Sequence, residues 1–273
     1  MSKRSKFVLV AVILSVLMWL LEYLAVDSRI QAVVAVVVFS YVICGWALFE
    51  DLKGIEWVTI LMLPVLYTLG AGLFSFFLPS HIARLGDIRL EADVARLLAD
   101  VIRMGFWAIY GIGMYTVMLM ENILSVASVK TIQLLRAAHT AGFIMTLVVG
   151  LFLYNSVFSF KLAWWLNGLL VFGLTFPIVL QAIWYMELRE YIDKKVLMFV
   201  FVISLIMGEL AVVMSFWPAR AIMTALFLTT ALYVMVGTAQ QYVIGRLFQK
   251  QVYDYVGIAA MVTTITILFT SWR

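Results

Sequence analysis

The chain has 273 residues, 65% of them hydrophobic and only 12% charged, with a net charge of +4 and a mean hydropathy of +1.08. Too little polar surface is available to coat a water-soluble globule of this size, which excludes a soluble enzyme or a nucleic-acid-binding domain and points to an integral membrane protein. The positive balance comes from the loops and reports threading, with no reason to expect nucleic acid.

A span needs about 20 mainly apolar residues, because a helix rises about 1.5 Å per residue through about 30 Å of hydrocarbon. Nine stretches qualify in chain order: 7–26, 30–49, 57–78, 105–124, 137–158, 162–186, 196–217, 221–243 and 255–272. Helices satisfy their own backbone, and no ten-residue alternation of a membrane barrel is present. The fold class expected is therefore all-α, a single polytopic transmembrane bundle with one further outer amphipathic helix.

The first stretch follows a basic start, Lys3, Arg4 and Lys6. It is long, contains Trp19 and Glu22 and ends without a small-x-small pattern, so it reads as an uncleaved span and not as a signal peptide. The second holds Cys44, the one cysteine, which rules out a disulfide framework and reads as a small buried apolar residue. Pro64 in the third and Pro177 in the sixth are expected to kink their helices.

Between the third and fourth spans lies a longer polar connection. Asp87 reads as an N-cap, and Leu90, Val94, Leu97, Leu98, Val101 and Ile102 recur at helical spacing, giving an amphipathic helix near 87–104. Arg89 with Asp93, Arg96 with Asp100, and Asp100 with Arg103 are the ion pairs expected on its polar face. It either lies on the membrane surface or extends the fourth span. Between the fourth and fifth spans, Glu121, Asn122, Lys130, Gln133, Arg136 and His139 form an inner polar stripe that faces headgroups or a partner.

Orientation follows from Lys and Arg. With the amino terminus inside, Lys3, Arg4, Lys6, Lys53, Lys130, Arg136, Arg189, Lys194, Lys195, Arg246 and Lys250 are inner, and the outer side keeps four loop cations once the four arginines of the amphipathic helix are set aside. The rule of basic inner loops then favours an inner amino terminus and an outer carboxyl terminus, in a bacterial cytoplasmic membrane. Tryptophans fall at the proposed span ends as an aromatic belt requires, except Trp19, which lies deeper.

Ionisable and amide groups inside spans are the expected functional positions, because charge at the bilayer centre costs several kcal/mol. Glu22 and Glu209 lie roughly 6 and 12 Å below the proposed outer helix ends at the helical rise. With Asn155 and Asn167 at comparable depth, they are expected to line an outward-facing polar cavity. The alternative is that each is an interhelical hydrogen-bonding contact. Two histidines, His81 and His139, build neither a haem nor a zinc helix, and no phosphate-cradling glycine loop is present. No catalytic residue, metal or cofactor is expected.

Three functions follow in order. The first is binding or permeation of a small or lipid-like molecule through the outer cavity. The second is a non-catalytic scaffold, whose partners are other membrane proteins besides the bilayer. The third is an intramembrane enzyme acting on lipid.

Overall fold

The computed structural model describes residues 2–80, 82, 84–85, 88–89, 91–127, 134–189, 191–245 and 248–270. Its fold class is all-α, a bundle of α1 (Lys3–Leu20), α2 (Val26–Leu48), α3 (Glu56–Phe74), α4 (Ala92–Ala127), α5 (Leu135–Ser159), α6 (Trp164–Glu187), α7 (Lys194–Ser215), α8 (Ala221–Val243) and α9 (Gln249–Leu268), with one two-residue strand pair in the connection before α4. Among the described residues nine helices are long and apolar enough to cross a membrane. Short 3-10 turns, Leu21–Tyr23 and Ser75–Phe77, finish α1 and α3.

Short connections make consecutive helices antiparallel, so the bundle has two ends. At the near end, where the chain starts, Lys3 Nζ meets Asp51 at 2.7 Å and Lys6 Nζ meets Glu50 at 3.0 Å. These pairs clamp α1 to the turn after α2. The hydrogen bond from Lys6 holds the exposed Glu50 carboxyl below its ordinary range. At the far end, Arg29 donates to Ser75 Oγ at 2.9 Å and lies 4.5 Å from the Phe76 ring centre. There too Phe77 packs edge-on against Phe160, and Trp217 donates to Thr270 Oγ1 at 2.8 Å.

Of the two placements expected for the amphipathic stretch, the structure shows extension of the fourth span. The amphipathic stretch and the span are one helix of 36 residues, about 54 Å long at the helical rise and so longer than the roughly 30 Å hydrocarbon core. It starts at Ala92. Ile88–Arg89 instead pairs antiparallel with Arg84–Leu85, while Asp87 and Leu90 lie outside the described residues. The apolar stripe Val94, Leu97 and Val101 is exposed and the small Ala95 and Ala99 turn inward. Lipid or interface contact, not the protein core, is what that stripe fits.

Pro64 and Pro177 lie inside continuous helices. Thr68 Oγ1 donates to the Pro64 carbonyl at 2.8 Å. Interior contacts join the helices by hydroxyl pairs: Tyr110 with Thr68 at 2.9 Å ties α4 to α3, and Tyr154 with Thr175 at 2.8 Å ties α5 to α6. Such contacts matter because lipid tails are as apolar as the core, leaving packing and polar pairing to hold helices together. Glycines let the backbones of α6 and α7 approach closely. A methyl added at Gly208 would lie 3.0 Å from the Gly168 carbonyl, and one at Gly168 would lie 3.3 Å from that of Gly208.

Candidate functional site

Glu22 sits in the 3-10 turn that ends α1, where the chain must reverse toward α2. The turn drops its side chain against α4. Trp107 donates its indole N–H to Glu22 Oε1, and Arg103 Nε lies 3.6 Å from Oε2. The Glu22 side chain is only 5% exposed and that of Arg103 21%, so the pair is partly desolvated and holds α1 to α4. Arg103 Nε also donates to the Pro79 carbonyl at 3.1 Å.

The ion pairs expected of Arg96 with Asp100, and of Asp100 with Arg103, do not form among the described residues. Arg103 turns to Glu22 instead. Asp100 is exposed and keeps its water, whereas a nearly buried carboxylate depends on a cation. The side chain of Arg89, the third expected donor, lies outside the description.

Around this pair the surface is concave. A far-end pocket of about 200 Å³ is lined by Trp19, Glu22, Tyr23, Asp100, Arg103 and Met104. Trp19 and Tyr23 form one corner, with ring centres 5.5 Å apart and planes at 89°. From Trp19 and Met104 an apolar groove of about 490 Å³ runs on between α1 and α4, past Ser15, Ala11, Gly111 and Tyr115. Ser15 Oγ lies in that trough without a hydrogen-bond partner. Sequence creates the trough by setting Ala11 and Ser15 one turn apart below Trp19, opposite Gly111, where an added methyl would lie 2.6 Å from Ser15 Oγ.

The other three residues expected beside Glu22 are placed elsewhere. Asn155 is buried in α5, and Asn167 is buried in α6 with its amide donating to Ser215 Oγ at 3.0 Å and its own Oδ1 unpartnered. Glu209 is exposed on α7. No hydrogen bond joins any two of the four among the described residues.

At the near end the expected stripe divides between interior and surface. Glu121 is fully buried on α4, where Tyr185 of α6 donates to its Oε1. The Tyr185 hydroxyl is also 3.4 Å from Gln181 Oε1, whose Nε2 lies 3.5 Å from Thr146 Oγ1 of α5. Gln240 of α8 donates to the Ala182 carbonyl at 2.7 Å. One turn along α4, Ser125 Oγ donates to the Asp51 carbonyl at 2.9 Å, within 3.4 Å of the buried Glu56. Glu121 Oε2, Asn122 Oδ1 and His139 Nε2 are buried without partners. Arg136 is exposed, and Lys130 and Gln133 lie outside the described residues. Reading the sequence missed Tyr185, the donor that fixes Glu121, because nothing in a tyrosine four residues after Gln181 marks its partner on another helix.

Two comparisons with known proteins were negative: neither a curated protein nor a solved structure matches the chain. Residues 95–269, from the first turn of α4 to the residue after α9, match the family model described as "Protein of unknown function (DUF5656)".

Proposed function

The chain belongs to that DUF5656 family, and from this premise we propose that it is a membrane protein that binds one lipid-like amphiphile in the slot between α1 and α4. One observation carries the reading. The apolar groove and the polar pocket share Trp19 and Met104, so a single molecule with an apolar tail and a polar head fits both without leaving either half unmatched. A volume of about 490 Å³ for the tail section lies within the usual range of ligand sites. An apolar trough alone would accept any lipid tail or neighbouring helix. The charged cap at one end selects an amphiphile.

With the amino terminus inside, as the basic loops favour, the polar cap belongs to the outer leaflet and the tail runs toward the bilayer centre. Glu22 and Arg103 then do two things. They hold α1 against α4, and they line the head-group end.

Native mass spectrometry of the purified chain tests the proposal. The expected result is one retained lipid per chain, lost in Ala108→Phe, which fills the groove from an exposed position on α4. Equal lipid retention by both proteins would contradict it.

A further inference from the structure

The pocket at the head of the slot has a charge pattern more specific than polarity. Glu22 and Arg103 are paired at 3.6 Å, and Arg29 adds a second cation within electrostatic reach of both. Asp100 remains, lining the same pocket, exposed and with no ion-pair partner among the described residues. Of the Arg103 guanidinium, Nε is taken up by the Pro79 carbonyl and Glu22, while its terminal nitrogens have no acceptor among the described residues. The pocket thus offers a free carboxylate, free guanidinium donors, and an edge-to-face pair of rings, Trp19 and Tyr23, whose faces attract cations.

Resting on the slot reading above, we propose that the bound amphiphile is a zwitterionic phospholipid, with its ammonium between Asp100 and the Trp19–Tyr23 corner and its phosphate on the Arg103 guanidinium. Guanidinium forks match phosphate oxygens. A purely anionic head satisfies Arg103 but sets its charge beside Asp100 with nothing in return. A neutral sugar head leaves both charges unmatched. The pocket volume of about 200 Å³ admits a phosphate and an amine together, and the rings accept a quaternary nitrogen as readily as a primary one.

Trp19, at the junction of groove and pocket, supplies the probe. The full chain is placed in vesicles of phosphatidylglycerol that contain a small fraction of lipid brominated on the upper acyl carbons. That lipid carries an ethanolamine, choline or glycerol head. Quenching of Trp19 is the difference between the wild-type chain and Trp19→Phe. Ethanolamine and choline lipids should quench at about one-fifth the concentration that the glycerol lipid needs, the order expected for one partly exposed ion pair. Asp100→Asn should erase that preference.

Equal or stronger quenching by the glycerol lipid would overturn the head-group assignment while leaving the slot in place. Quenching that is the same for all three heads and unaffected by Ala108→Phe would overturn the slot itself, because Trp19 would then be sampling bulk lipid.

Discussion

Trp107 donates its indole N–H to Glu22, a residue 85 positions earlier in the chain, and Arg103, one turn before Trp107 on the same helix, pairs with the other carboxylate oxygen. One buried acid therefore joins the end of α1 to two consecutive turns of α4. Glu22→Leu removes the acceptor for both donors and should destabilise the chain by about 2–4 kcal/mol, since it strands a partly desolvated cation. Glu22→Gln strands the same cation but keeps an oxygen for Trp107 and should cost about 1 kcal/mol less. Unfolding in a mild detergent, with Trp107→Phe to close a double-mutant cycle, measures both. Equal losses for Leu and Gln would mean that the Trp107 hydrogen bond adds nothing beyond the carboxylate charge.

The glycine contact of α6 and α7 yields a second expectation. At Gly208 a methyl group meets the Gly168 carbonyl at 3.0 Å and the Phe172 side chain at 3.1 Å, and neither backbone can move without parting the helices. Gly208→Ala should cost about 1–3 kcal/mol by overpacking. At Gly173, where an added methyl meets nothing within 4 Å, alanine should be neutral or stabilising by a few tenths to about 1 kcal/mol. Thermal unfolding of the two variants in parallel decides whether close packing, and not helix propensity, governs this pair.

Tyr185→Phe tests the buried network at the near end. The substitution keeps the ring but leaves both oxygens of Glu121 without a donor in the interior, and it should cost about 1–3 kcal/mol. Tyr154→Phe, which leaves only the Thr175 hydroxyl behind, should cost less, about 0.6 kcal/mol as for ordinary interhelical hydrogen bonds in membranes. Reversal of that order in unfolding measurements would mean that Tyr185 is a packing residue.

Acidification should loosen the near-end clamp. Because Lys6 holds the Glu50 carboxyl below its ordinary range, the pair's contribution is fully present above the ordinary carboxyl pKa. It is lost as pH falls through the lowered value. Since Glu50 is exposed, high salt should weaken the same contact. Amide exchange in the first turn of α1, compared between wild type and Lys6→Ala, should converge at low pH.

Hydropathy made the nine spans legible because bilayer thickness fixes their length whatever their neighbours are. Ends were less legible. Helix α4 joins two predicted pieces, since no Pro or Gly cap stands before Gly105, and its periodic stripe could not say whether it met protein or lipid. The candidate sites were legible only as single residues. Glu22 and Glu121 stood out as acids within apolar runs, but their donors Trp107 and Tyr185 sit on other helices. Arg103 looked like a partner for Asp100 three residues away, and only the burial of Glu22 shows which acid it serves. The groove could not be read at all, because Ala11, Ser15 and Gly111 are ordinary small residues until two helices bring them together.

Photo-crosslinking with a phospholipid that carries a diazirine in its acyl chain tests the slot most directly. Adducts concentrated on residues 8–19 and 104–115, and competed away by unlabelled lipid, are the predicted result. Adducts spread over the exposed faces of α7, α8 and α9 in proportion to their surface would contradict it.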